Sequence, residues 1–197
     1  MRCRSCWNSS RRPTRRSRSR YTPATPSRYS ALVVREEVQL GLSRALHHAD
    51  VESIPLYEDE LVLVVHPQHR LVGSPPASLL EISRERLIMF DPASSYYDLT
   101  RALFRTGRVT ALRAMELDNI EAVKRMVERR LGVAFLPHTA VVRDVADGRM
   151  CIVRLEDCPP MYQSIVALRR RDSPPIHTVN TFLDLAQTAA DGIRTAE

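Results

Sequence analysis

Pro55-Leu56-Tyr57-Glu58-Asp59-Glu60-Leu61-Val62-Leu63-Val64-Val65-His66-Pro67 holds five consecutive apolar residues, Leu61–Val65, behind three acids and ahead of a His-Pro stop. A strand with one wet face alternates apolar and polar side chains. An unbroken Val/Leu run reads instead as a strand buried on both faces, as in a largely parallel sheet with helices on either side.

The chain on either side fits that reading. Leu79, Leu80 and Ile82 fall on a short helix, and Leu87-Ile88-Met89-Phe90 forms a second strand stopped by Asp91-Pro92. Ser94 or Ser95 caps the following helix, whose stripe is Leu99, Ala102 and Leu103 and whose stop is Gly107. Arg113–Leu117 is a third strand. Asp118 then reads as an N-cap with Glu121 at N3, a capping box. Ile120, Val123, Val127 and Leu131 recur at helical spacing, with Gly132 as the stop. Val133–Leu136 is a fourth strand, and a short helix from Thr139 ends near Asp147-Gly148. Ile152–Leu155 and Ser164–Arg169 are further strands. Pro174-Pro175 precedes a final helix striped by Ile176, Val179, Phe182, Leu183 and Ala186. Strands alternating with helices through short connections define an α/β protein.

Charge is unevenly spread. The 197 residues have a net charge of +6, but nine of the 29 basic residues lie in residues 1–34, which hold no acid. The rest carries 20 basic against 23 acidic side chains, so it does not attract a phosphate backbone by itself. The first 34 residues are rich in Arg, Ser, Pro and Thr, a composition that cannot offset its ordering entropy and reads as a disordered tail. Three readings of it compete: a nucleic-acid-binding arm, a solvated tail without a role, and out-of-frame translation of GC-rich DNA. No apolar run approaches the roughly 20 residues of a membrane span, and the first 30 residues lack the apolar stretch of a secretory signal.

No catalytic constellation is present. The chain lacks G-x-S-x-G and H-E-x-x-H, and six glycines supply no phosphate-binding loop. Cys3 and Cys6 have no second pair to complete a zinc site. His47-His48 with Asp50 and Glu52 lacks ligand spacing and reads as surface. No enzyme, metal or cofactor is expected.

Pro55–Pro67 resembles the hinge strand of the effector-binding domain of LysR-type transcriptional regulators. Glu116-Leu117-Asp118-Asn119 through Arg130-Leu131-Gly132-Val133-Ala134-Phe135-Leu136-Pro137 resembles a helix-plus-strand segment of the same domain, in matching order and spacing. Ile165–Leu168 with Arg169-Arg170-Arg171 and the last helix completes the likeness, over roughly residues 32–190. The resemblance implies a two-lobed, periplasmic-binding-protein-like type II fold with a small-molecule effector between the lobes. Residues 66–145 would form lobe II, and residues 35–65 with 146–197 an incomplete lobe I. The family's winged helix-turn-helix is not found in this sequence, so DNA contact through it is not expected, and the homodimer usual in the family would be weakened. The leading expectation is a cytoplasmic effector-binding domain for a small anionic metabolite. The alternative is non-specific nucleic-acid binding through the Arg-rich tail.

Ligands in such folds sit at the carboxyl ends of strands, facing helix N-termini. Ser94, Ser95, Asn119, Phe135, Pro137 and His66 are therefore the candidate ligand-binding residues. Each has a plainer alternative. Ser94 and Ser95 can simply cap, Asn119 can be a turn residue, Phe135 can be core, and His66 can be a surface turn histidine. Asp118 reads as a cap only, and His138 as a cap for the helix after it.

Overall fold

The computed structural model describes residues 28–195 apart from residues 157 and 175. Residues 1–27, which carry Cys3, Cys6 and most of the expected tail, lie outside the described residues. The elements are α1 (Arg28–Val34), β1 (Gly41–Arg44), β2 (Val51–Val65), α2 (Leu79–Ser83), β3 (Leu87–Phe90), α3 (Ser95–Thr106), β4 (Arg113–Leu117), α4 (Ile120–Glu128), β5 (Val133–Pro137), α5 (His138–Ala146), β6 (Cys151–Val153), β7 (Met161–Arg170) and α6 (His177–Thr195). They fall into two compact units, one spanning Asp59–Tyr162 and the other built from the chain on either side of it. The chain passes between the units along β2 and again along β7.

In the Asp59–Tyr162 unit the strand order is β2-β5-β3-β4, with β6 on the other edge of β2. β3 runs parallel to β4 and β5, while β2 runs antiparallel to β5, pairing Leu61 with Pro137 and Val64 with Ala134. The apolar run is buried on both faces, as its composition requires. Leu61, Leu63 and Val65 join one core with Leu87, Met89 and Phe135 beneath α2 and α3. Val62 and Val64 join the opposite core with Ile88, Phe90, Ala134 and Leu136 beneath α4 and α5. Burying each such side chain contributes roughly 1.5–3 kcal/mol.

The second unit has the strand order β1-β7-β2, with β1 antiparallel to β7. Val33 of α1 packs with Val51, Val166 and Leu168 on one face. Val179 and Leu183 of α6 pack with Leu56 and Ala167 on the other. Residues 28–34, read above as tail, are thus helical, because Ser30 and Val33 are both 1% exposed against this unit. The stripe of α6 is also narrower than expected. Phe182 is 45% exposed, and among the side chains described the buried ones are Val179, Leu183 and Ala190.

Helix ends depart from the sequence reading in an instructive way. The cap of α4 is Asn119, whose Oδ1 accepts from the N–H groups of Glu121 (2.8 Å) and Ala122 (3.2 Å), so Asp118 is not the cap and Glu121 stands at N2. Gly107 and Gly132 do not supply the left-handed stop. That position is taken by Arg108 (φ 54°) and Arg130 (φ 60°). Arg130 N–H donates to Val127 O and Leu131 N–H to Met126 O, the paired bonds of a Schellman ending. Glu36 (φ 59°) ends α1 the same way, and among the described helix ends α5 alone uses a glycine, Gly148 (φ 72°). Gly132 has a different role: a Cβ there would lie 2.2 Å from the carbonyl oxygen of Arg86, so β5 can approach β3 only without a side chain.

Candidate functional site

The register of β3 and β4 pairs Phe90 with Leu117, and the N–H of Asp91 donates to Leu117 O at 2.9 Å. The carboxyl ends of the two strands are therefore adjacent, and the N-termini of α3 and α4 follow from the same rim. Ser94 caps α3, its Oγ accepting from Tyr96 N–H at 3.2 Å, and Ser95 is the first helical residue. Asn119 caps α4 through its amide oxygen and keeps its NH2 group as a donor. β5, parallel to β3, ends at the same rim in buried Pro137. Four of the six candidates, Ser94, Ser95, Asn119 and Pro137, thus share one end of the sheet.

The other two do not. Phe135 is 2% exposed and lies in the core, its ring edge-on to Phe104 at 6.2 Å. His66 follows directly on β2, which runs opposite to β5, so it lies at the far end of the sheet near Arg130. Its Nδ1 accepts from Gln68 N–H at 3.0 Å, closing the turn after the strand. Burial first, and then the electrostatic influence of Arg130 and of His69, lower its pKa below 6.5.

Two residues at the rim were missed. Asp59 starts this unit's part of β2 and is 5% exposed. Its carboxylate accepts from Thr139 N–H at 3.2 Å and from the Thr139 hydroxyl. It therefore caps α5, a role that neither His138, the helix's first residue, nor Pro137 performs. The available signal was a carboxylate two positions before the apolar run, in phase with Leu61, Leu63 and Val65. An internal anion thus occupies the N-terminus of α5, while α3 and α4 have the neutral caps Ser94 and Asn119, with Asp98 and Glu121 in their first turns. Free N–H groups and the partial positive charge of a helix N-terminus suit an anion.

Comparison with known proteins agrees with this architecture. A family model described as LysR substrate binding domain matches residues 19–191. The chain belongs to that family, whose regulatory domains have the periplasmic-binding-protein-like type II fold. Among curated relatives, the HTH-type transcriptional regulator CitR of Bacillus subtilis is 26% identical over 142 residues, 71% of this chain and 48% of that protein. The uncharacterized HTH-type transcriptional regulator YwqM of the same species is 30% identical over 144 residues, 73% of this chain and 46% of that protein. The chain spans about half the length of these relatives. Among solved structures, the Synechocystis CcmR regulatory domain in complex with 2-PG is 19% identical with a TM-score of 0.71, covering 81% of this chain and 77% of that one. The effector-binding domain of QuiR in complex with shikimate is 18% identical with a TM-score of 0.68, covering 82% and 76%. Among the described residues, no helix is long and apolar enough to cross a membrane.

Proposed function

We propose that this chain is the effector-sensing part of a LysR-type transcriptional regulator working in the cytoplasm. It acts by binding rather than by catalysis, and its ligand is a small anionic metabolite. The observation that carries the reading is the adjacency of the α3 and α4 N-termini where β3 and β4 end side by side. In this reading the hydroxyls of Ser94 and Ser95 and the amide of Asn119 donate to the anion, and Pro137 walls the rim. Phe135 supports that wall from the core, and His66, at the other end of the sheet, takes no part. The small-molecule complexes of the similar CcmR and QuiR domains support a sensing role. Binding would shift a conformational equilibrium read out by DNA-binding and dimer contacts of the whole regulator.

Amide chemical-shift mapping with a panel of small carboxylates tests this. The reading expects one compound to perturb Ser94, Ser95 and Asn119 together. Saturable perturbation elsewhere, with these three silent, would overturn it.

A further inference from the structure

A cavity lies wholly in the unit that holds α1, β1 and α6. It measures about 250 Å³, and Val33, Ile176 and Val179 give it an apolar wall, with Glu36, Arg169 and Arg170 as its charged residues. Two of these charged residues are arginines and one is an acid, and consecutive strand residues turn to opposite faces. Arg169 is already committed: it donates to Glu52 at 2.7 Å, a residue outside the lining, and to Asn180 at 3.5 Å. Arg170 instead pairs with Glu36, within the cavity's own wall. Both members of that pair are substantially exposed, 38% and 64%, so it is a weak ion pair that a competing anion can displace. Glu36 is also the residue held in the left-handed conformation at the end of α1, where glycine is usual. The backbone thus holds an acid in place beside the guanidinium.

We propose that this cavity is a binding site for a small organic acid with a compact apolar body. The body fills the wall formed by Val33, Ile176 and Val179, and the carboxylate replaces Glu36 on Arg170. Five N–H donors in a planar fork suit a carboxylate. Glu36 then serves as a built-in competitor that sets the affinity. The site shares no residue with the rim of the other unit.

Isothermal titration of the full chain with cyclohexanecarboxylate, and with its neutral isostere cyclohexanecarboxamide, tests the proposal. The carboxylate should bind saturably and the amide at least about tenfold more weakly, the worth of a charge-assisted hydrogen bond. Glu36→Gln should tighten carboxylate binding, Arg170→Met should weaken it about tenfold or more, and Ser94→Ala should leave it unchanged. The tightening in Glu36→Gln cannot arise from misfolding. Absence of saturable binding to both wild type and Glu36→Gln would overturn the proposal, as would equal binding of the amide or affinity insensitive to Glu36→Gln. Loss of binding in Ser94→Ala would instead assign the acid to the helix N-termini and also overturn it.

Discussion

Asp59 and Thr139, 80 residues apart, are joined by two hydrogen bonds that fasten β2 to the N-terminus of α5. The carboxylate satisfies a backbone N–H that the helix itself cannot and sits at the positive end of its dipole. Asp59→Asn removes the charge and turns one acceptor into a donor facing donors. It should cost about 1–2 kcal/mol, the worth of a lost cap. Thr139→Val, which keeps the backbone bond, should cost less. Urea midpoints check the order, and equal costs would show that the backbone bond contributes nothing.

Arg108 and Arg130 occupy left-handed positions that cost an ordinary residue about 1–2 kcal/mol relative to right-handed backbone. Glycine adopts them freely but loses about 0.5–1 kcal/mol of chain entropy. Arg108→Gly should therefore raise stability by up to about 1 kcal/mol. Gly132→Ala should lower it by about 2 kcal/mol or more, because its Cβ meets backbone that cannot turn aside. Opposite signs in thermal unfolding are the expected result.

Asp144 is 3% exposed and held by Lys124 and Arg149, each at 2.7 Å. Burial alone would lower the Lys124 pKa, but its hydrogen bonds to Asp144 and Glu121 outweigh burial and raise it. Asp144→Ala leaves the largely enclosed Lys124, 12% exposed, without this partner and should cost about 3 kcal/mol. Adding Lys124→Met should recover part of that loss, a coupling of about 1 kcal/mol or more in a double-mutant cycle. Strict additivity would contradict it.

His66 binds its proton less readily in the folded chain than in the unfolded one, whose value is near 6.5. Between the lowered folded value and 6.5 the unfolded state holds more protons, so stability rises with pH across that window and is lost as pH falls through it. An NMR titration of the His66 ring should give a midpoint below 6.5. Stability of His66→Gln should fall less steeply with acidification than that of wild type. A midpoint at or above 6.5 would refute this.

Much of the fold was legible because its strongest signal is local. Leu61–Val65, Leu87–Phe90 and Val133–Leu136 are unbroken apolar runs, and only a sheet covered on both faces buries them. The helix ends were less legible. Asp118 and Asn119 are both good caps, and tertiary geometry chose the second. Gly107 and Gly132 look like stops, yet the left-handed positions fell one residue after the first and two before the second. The reason is that Gly132 is required by the approach of Arg86, a contact 46 positions away in sequence. At the candidate site, spacing offered Ser94 as one of two caps and placed Asn119 at the rim, but it gave the cap of α4 to Asp118. Asp59 was not legible, since its partner, beyond the end of the neighbouring strand β5, lies 80 residues away in sequence. His66 was misplaced because strand direction, which decides which end it occupies, is not written in the strand's own residues.

The most direct measurement is thermal unfolding of the full chain with a panel of small carboxylates, in wild type and in Ser94→Ala and Asn119→Ala. A ligand that binds only the folded state at about 100 times its Kd adds about 2.7 kcal/mol. The account expects one compound to raise the wild-type midpoint and the shift to shrink in both variants. No shift from any carboxylate, or shifts that for every active compound are equal in all three proteins, would contradict it.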